Sequence, residues 1–414
     1  MRIAVVGAGI SGLTAAALLS RRHEVTVYEA AGYAGGHTNT IRVDTPHQTH
    51  HVDTGFMVFN DRNYPNFEAL LARLGVTSQP STMSFSVSDS TGAFEYSSGS
   101  ANGLFAARRN LVAPSFHRMV ADVVRFQRAA RELLGQSDDT VSLREWLERM
   151  RFSRQFVERL IVPQASAVWS ADPAQLWAFP ARFLAEFFDN HGMLSLTGRP
   201  RWRTISGGAA RYVEALTAPF RDRIRLSSPV HSISRLPDAV LVCTAAAGTE
   251  RFDHVVLATH SDRALSLLAD PSPQEREILS AIPYQPNEAV LHTDSSLLPR
   301  RRRAWASWNY HLLPEPRSAP TVTYHMNRLQ SLRAERELCV TLNLTELIDP
   351  ARVIRRIPYA HPVYTPTGVR AQARVNEISG RERTHFCGAY WGWGFHEDGV
   401  NSGLRVAAAL GERP

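Results

Sequence analysis

The chain has 414 residues, 44% hydrophobic and 21% charged, with 46 Lys+Arg against 39 Asp+Glu and a formal net charge of +7. This composition excludes a disordered tail protein, a disulfide mini-scaffold and a collagen-like repeat, and the length predicts two domains or one large domain with an insertion. No lysine occurs, so every basic side chain is arginine, and no lysine amine is at hand as a base, Schiff-base former or water anchor.

Cys243, Cys339 and Cys387 are odd in number, far apart and without a C-x-x-C pair. They argue for a reducing compartment, and the expected location is cytoplasmic. The apolar stretch from Ile3 to Leu19 is broken by Gly7, Gly9 and Gly12, which leaves no room for a signal peptide and predicts no membrane span.

In chain order, Arg2–Gly7 reads as a short buried strand, Gly7-Ala-Gly9-Ile10-Ser11-Gly12 as a tight turn, Leu13–Arg21 as a helix and Glu24–Glu29 as a second strand. This is a βαβ unit with G-x-G-x-x-G and an acid at the end of strand two, the pattern of a dinucleotide site. Gly7 permits the turn, Gly9 lets backbone approach a pyrophosphate, and Gly12 lets helix and strand pack closely. The helix N-terminus offers free N–H groups to phosphates, and Glu29, followed by Ala30, is placed to accept ribose hydroxyls. Gly35-Gly36-His37 and Asp53-Thr54-Gly55-Phe56-Met57 extend the candidate ligand site.

Residues 76–203 change character. Arg108–Leu134 and Leu143–Arg159 carry helical spacing, Val162-Pro163 and Asp172-Pro173 interrupt, and Trp177–Phe188 is crowded with aromatics, including Phe187. Such an insertion either lines an apolar pocket or forms ordinary core. Strands are predicted at Arg223–Leu226, Val230–Ile233, Val240–Cys243 and His254–Ala258, then at Ala289–His292, Thr321–His325 and Cys339–Leu344. Finally His385–Gly388 enters a glycine- and aromatic-rich run (Trp391, Trp393, Phe395, His396, Gly399, Val400, Gly403), and Leu404–Leu410 is predicted as a closing helix.

Three separated blocks give the chain a resemblance to the flavin amine oxidase superfamily, which includes monoamine oxidases, protoporphyrinogen oxidase, phytoene desaturases and polyenoic fatty acid isomerases. They are Gly7–Glu29 with Gly35-Gly36 and Asp53-x-Gly55, then Val230–Ile233 with Val255–Ala258, and Phe386–Gly388 through Gly399–Gly403. The resemblance implies an α/β fold with a Rossmann-like FAD-binding domain built from 1–75, 204–283 and 376–414. A substrate-binding domain of α+β character would comprise 76–203 and 284–375. It implies FAD as cofactor, with Val230 and Ala258 on the adenine side and Gly388, Gly399 and Val400 at the flavin.

Two departures weigh against amine oxidation: the missing lysine, and Phe395 where amine oxidases usually carry a tyrosine. Trp169-Ser170, Phe187–Leu194, Arg199–Trp202 with Gly207-Gly208, and Tyr390–Gly399 resemble a bacterial subgroup of NAD/FAD-binding oxidoreductases associated with enzymes similar to cyclopropane fatty acid synthase. That implies a lipid acyl or other hydrophobic substrate, desaturated or isomerised by hydride transfer to the flavin. His396 and His191 are the acid/base candidates, each also readable as a structural histidine. Phe395, Trp391, Trp393 and Phe187 are the candidate pocket walls. An amine oxidase, with Glu397 or Asp398 holding the ammonium, and a redox-inert FAD-binding partner protein remain the alternatives. Arg300–Arg303 reads as a solvated loop or a dock for an anionic headgroup, carrier or membrane; nucleic acid and metal are not expected, and His47, His50 and His51 read as exposed loop residues.

Overall fold

The structure is a computed structural model that describes residues 1–136, 141–169, 172–195, 197–315 and 317–413; Ser170, named above, lies outside them. A parallel five-stranded sheet runs in the order Ile224–Arg225, Glu24–Tyr28, Arg2–Val6, His254–Leu257, Thr384–Phe386. Strands from three distant stretches thus meet side by side, and helix Ile10–Leu19 covers one face. The two-residue period of a strand divides its side chains between two cores. Ile3, Val5, Val25, Val27 and Val256 pack with that helix, whereas Ala4, Val6, Val255 and Leu257 pack with the antiparallel strands Val230–Arg235, Val240–Thr244 and Gly248–Phe252.

A second, seven-stranded sheet has the order Val353–Pro362, Tyr284–His292, Cys339–Leu342, Val322–His325, Trp308–Leu312, Phe85–Asp89, Glu95–Ser97. Its apolar face (Val87, Tyr310, Val322, Tyr324, Val340) shares one core with helices Pro114–Leu134 and Ala181–Asn190. Between the two large sheets in the chain, Phe59–Asn60, Trp202–Ile205 and Ser78–Pro80 form a small antiparallel sheet.

Three expectations shift. Arg108–Leu134 is a 3-10 turn, Arg108–Leu111, followed by a helix that starts at Pro114, because proline fits the first helical position and lacks an amide to lose. Leu143–Arg159 is broken: the first helix stops at Arg149, Arg151 is left-handed (φ 51), and Ser153 caps a new turn that widens into a π-turn, Val157–Ile161. That widening lets the chain continue into helix Val162–Trp169 with Pro163 in its first turn. The closing helix spans His396–Ala409, starting well before Leu404, because Gly399 and Gly403 lie inside it as a packing face. His50 is also buried, on strand Thr49–Asp53, which pairs with Thr40–Asp44.

Candidate active site

Two of the three fingerprint glycines are required by packing. Gly7 has φ +108, and a Cβ there would come within 2.7 Å of the Ala258 carbonyl oxygen. A Cβ on Gly12 would overlap the Gly7 carbonyl oxygen and reach within 2.9 Å of the Ala258 methyl. Gly9 is different: its φ of −77 suits any residue, and an added Cβ meets nothing within 4 Å. Neither strain nor crowding calls for glycine, so the small residue leaves open room directly at the N-terminus of helix Ile10–Leu19, where no side chain caps the free amides.

Gly35 (φ +129) and Gly36 (φ +59) border that space, Gly35 donating to the Ala8 carbonyl at 2.7 Å. The Glu29 carboxylate accepts from the Ala8 and Ala31 amides at 2.8 Å each, which fixes it beside the loop, with Ala30 exposed next to it. The closing helix lies on the first helix almost backbone to backbone. A Cβ on Gly399 would be 2.6 Å from Ile10 Cγ2, and one on Gly403 would be 2.5 Å from the Ser11 carbonyl. Two helix N-termini therefore converge here, beside buried Ile10, Ser11 and Val400, and the Gly388 amide is tied to this helix through Ser402 Oγ at 3.0 Å. An open cradle, converging helix N-termini and an anchored acid fit a dinucleotide with a diphosphate at its middle. Val230 opens the antiparallel meander behind the sheet, and Ala258 ends the strand that supports Gly7.

Beside the cradle is a cluster that sequence reasoning saw only in part. The His37 ring stacks on Tyr359 (4.7 Å, 22°) and lies 5.1 Å from His361 and 6.1 Å from His260, itself stacked on Tyr284 at 4.4 Å. Burial holds all three imidazoles neutral: His37 well below its usual pKa, His361 down to about 4, His260 lowered. His37 Nε2 is buried with no partner. Gly55 packs beneath, since a Cβ there would overlap the His37 carbonyl oxygen and come 3.2 Å from the Tyr359 hydroxyl. Met57 is buried and uses its carbonyl to hold Thr204 Oγ1 at 2.9 Å. The available signal for His260 was its position two residues after Ala258; His361 and Tyr359 had none.

Phe395 and His396 diverge. His396 Nε2 sits 2.9 Å from both Thr38 Oγ1 and Tyr212 Oη, and the ring stacks on Phe56 at 3.4 Å, with Phe67 edge-on. Burial drops its pKa to about 3. Phe395 faces the opposite way, onto Phe187 (5.5 Å, 22°) and His191 (5.6 Å). Trp393 lies 6.5 Å from both Phe183 and Phe187. His191 stacks on Phe187 at 4.0 Å and its Nδ1 is 2.9 Å from the Phe187 carbonyl, which fixes Nδ1 as the protonated nitrogen and leaves Nε2 as a lone-pair acceptor. Burial lowers the His191 pKa to about 4. The structure thus brings Phe187, His191, Trp393 and Phe395 together, while Trp391 packs against Tyr390 in the core behind the parallel sheet.

The two acids near this wall are engaged elsewhere. Glu397 accepts from the Asn66 amide (3.0 Å), Asn66 Nδ2 (3.1 Å) and the Phe67 amide (2.9 Å), capping helix Pro65–Arg73. Asp398, its pKa pushed up to about 6 by burial, accepts from the Phe395 amide at 2.9 Å and caps its own helix. Of the arginine run, Arg301 pairs with buried Glu95 at 2.8 Å, Arg300 and Arg303 bond backbone carbonyls, and Arg302 lies over Trp305.

Comparisons with known proteins follow the same lines. A family model described as flavin containing amine oxidoreductase matches residues 10–320. Over nearly the full length, the fold resembles cyclohexylamine oxidase from Brevibacterium oxydans IH-35A (TM-score 0.70, 18% identity, 99% of this chain and 98% of that one). It also resembles a putrescine oxidase bound to putrescine (TM-score 0.69, 14% identity, 99% of each chain). A CLA-producing fatty acid isomerase from P. acnes gives TM-score 0.67 at 16% identity, covering 97% of this chain and 96% of that one. Among curated proteins, one from Methanocaldococcus jannaschii is 48% identical over 44 residues, and the match spans 11% of this chain and 11% of that protein.

Proposed function

Because the chain belongs to the flavin-containing amine oxidoreductase family, an FAD-dependent family, we propose that it removes hydrogen from a C–H bond of a hydrophobic, lipid acyl substrate, giving desaturation or double-bond isomerisation. Bound FAD supplies the hydride acceptor. Gly9, Gly35, Gly36 and the amides of Ile10, Ser11 and Gly12 would hold its diphosphate, Glu29 its ribose, and the start of helix His396–Ala409 its ring, where the helix dipole favours negative charge.

The observation that carries the substrate class is the wall of Phe187, His191, Trp393 and Phe395, beside which both neighbouring carboxylates are spent as helix caps. Neither Glu397 nor Asp398 is free to pair with an ammonium, and an acyl chain gains from the same surface by the hydrophobic effect. Loss of a hydride from one carbon and a proton from its neighbour forms the double bond. His191 Nε2, left as the lone-pair nitrogen by the Nδ1 contact to the Phe187 carbonyl and with no hydrogen bond to it among the described residues, is the group we assign to take the proton. In isomerisation no proton is lost: hydride leaves an allylic carbon and returns to the far end of the resulting allyl cation, which shifts the double bond. His396, tied to two hydroxyls, would act by positioning Thr38 and Tyr212.

A second reading, amine oxidation, is supported by the cyclohexylamine and putrescine oxidases among the structural neighbours. Anaerobic titration of the FAD-loaded protein separates the two. Bleaching of the visible flavin band by unsaturated acyl lipids and not by primary amines supports the lipid reading; bleaching by amines alone refutes it. With neither, product analysis distinguishes an isomerase, which leaves the flavin oxidised after each turnover, from a redox-inert FAD protein.

A further inference from the structure

Val112 is 82% exposed and Leu111 49%, at the end of the 3-10 turn Arg108–Leu111, and Val124 on the following helix is 61% exposed. Leu111 and Val112 are adjacent and together form an exposed apolar tip. They are surrounded by positive charge: Arg108 and Arg109 are exposed beside the tip, and Arg118, Arg125 and Arg128 line the solvent side of helix Pro114–Leu134 with His117. From residue 101 to residue 136 there are six arginines and two acids, 6 − 2 = +4. One of those acids, Asp122, is buried and bonded to Arg125 and the Ser153 amide. Among the described residues Arg108, Arg109, Arg128 and Arg159 form no ion pair. A cleft of about 890 Å³ is lined by Arg109, Arg118, Arg154 and Arg159 against the acids Asp89 and Glu158, of which Glu158 pairs with Arg154, and by Phe94 and Phe116.

We propose that this turn and helix face dock on an anionic phospholipid bilayer, Leu111 and Val112 entering the headgroup layer and the arginines meeting lipid phosphates. An apolar tip beside Arg108 and Arg109, which have no ion pair among the described residues, matches a surface that is anionic outside and hydrocarbon within; an acidic protein would need the charge but not the tip. This location differs from Arg300–Arg303, whose guanidinium groups are engaged within the fold. The buried side of the docking helix reaches the substrate wall in one layer. Phe126 packs on Phe188 at 5.9 Å, and Gln127 bonds the Met193 carbonyl at 3.4 Å, both from the stretch that carries Phe187 and His191. The role in substrate delivery rests on the lipid reading above; docking itself does not.

The test is flotation of the FAD-loaded protein with vesicles of phosphatidylcholine alone and of phosphatidylcholine with phosphatidylglycerol, at low and high salt. We expect binding to the anionic vesicles only, weakened by salt. Arg108→Ala with Arg109→Ala should weaken it about 25-fold, from ~1 kcal/mol or roughly fivefold per arginine at such a surface. Val112→Ser should weaken it several-fold with no change of charge. The control pair Arg355→Ala with Arg356→Ala, exposed on the outer strand Val353–Pro362, should bind like the parent. Absence of binding to anionic vesicles overturns the proposal, as does binding lost only in the control pair. Equal binding to soluble polyglutamate, indifferent to Val112→Ser, also overturns it and assigns the surface to an acidic protein. Flavin bleaching by detergent-dispersed acyl lipid is read separately, so a failure of docking and a failure of the substrate reading cannot be confused.

Discussion

Gly9→Ala and Gly12→Ala make the same chemical change three residues apart, and the structure assigns them opposite outcomes. At Gly9 the new methyl meets open space and the backbone is already in a region open to any residue. Replacing glycine removes freedom from the unfolded chain, worth about 0.4–1 kcal/mol in favour of the fold. Alanine at a helix N-cap loses a comparable amount, so the two nearly cancel. The apoprotein should melt within about 2 °C of the parent. At Gly12 the methyl would overlap a backbone carbonyl that cannot rotate away, and overpacking of this kind costs about 1–3 kcal/mol or more.

For FAD the ranking changes. The methyl of Gly9→Ala occupies the room where the diphosphate must approach the helix amides, and each charge-assisted hydrogen bond lost costs about 1.5–3 kcal/mol. Loss of two such bonds, about 3 kcal/mol or more, predicts a Kd raised at least ~100-fold. Differential scanning calorimetry of the apoproteins and quenching of FAD fluorescence on titration measure the two quantities independently. Parent-like FAD affinity in Gly9→Ala, or a melting loss equal to that of Gly12→Ala, would refute the assignment of Gly9 as the ligand-facing glycine.

Other expectations follow from the same geometry. His191→Gln should slow anaerobic flavin reduction by an acyl substrate about 10²–10⁴-fold while FAD affinity stays unchanged; a change confined to FAD affinity would remove His191 from the proton-transfer role. Since burial holds its pKa at about 4, the reduction rate of the parent should show no acidic limb near pH 6.5, and stopped-flow traces from pH 5.5 to 8 check this. Stability should fall as pH drops from 6.5 towards 4. In that window the unfolded chain protonates histidines that the fold keeps neutral, with pKa about 4 for His191, His292, His311, His361 and His385 and about 3 for His396. Asp53 (about 7) and Asp398 (about 6), raised by burial, act in the opposite direction but are fewer; a melting temperature that rises on acidification contradicts this balance. Glu397→Gln should cost about 1–2 kcal/mol through the cap on helix Pro65–Arg73 and leave substrate-driven reduction intact in the folded fraction, whereas a selective loss of amine binding would favour the second reading.

The parallel sheet and its glycine turn were legible because they depend on local pattern: β-branched runs, glycine spacing and an acid at a strand end. What was not legible depends on contacts across the chain. Gly7, Gly9 and Gly12 look alike in sequence, and only the position of Ala258, far downstream, separates those that pack from the one that opens. His37 was singled out beside its glycines, but the partners that make it a cluster come from residues 260 and 359–361. Phe395 and His396 are adjacent in sequence, yet they straddle the start of a helix and turn to opposite sides. Trp391 and Trp393 look equivalent until the short 3-10 turn Ala389–Trp391 sends Trp391 behind the sheet. Glu397 reads as a free acid because a cap on another helix has no signature in its own segment.

The contact of Gly399 and Gly403 with Ile10 and Ser11 bears on how the protein is made. The helix that opens the nucleotide cradle finds its packing partner far downstream, at Gly399 and Gly403, and the strand Thr384–Phe386 that closes the parallel sheet is translated only shortly before it. During synthesis the first βαβ unit must wait, with Gly399 not yet joined to the chain, while the intervening sheet and helices emerge. Long-range closure of this kind is slow, and it exposes unpaired strand edges to aggregation. The cradle can therefore close only once Gly399 and Gly403 have been synthesised, and free FAD supplied during expression should raise the yield of soluble protein by trapping the completed cradle more than by guiding its assembly.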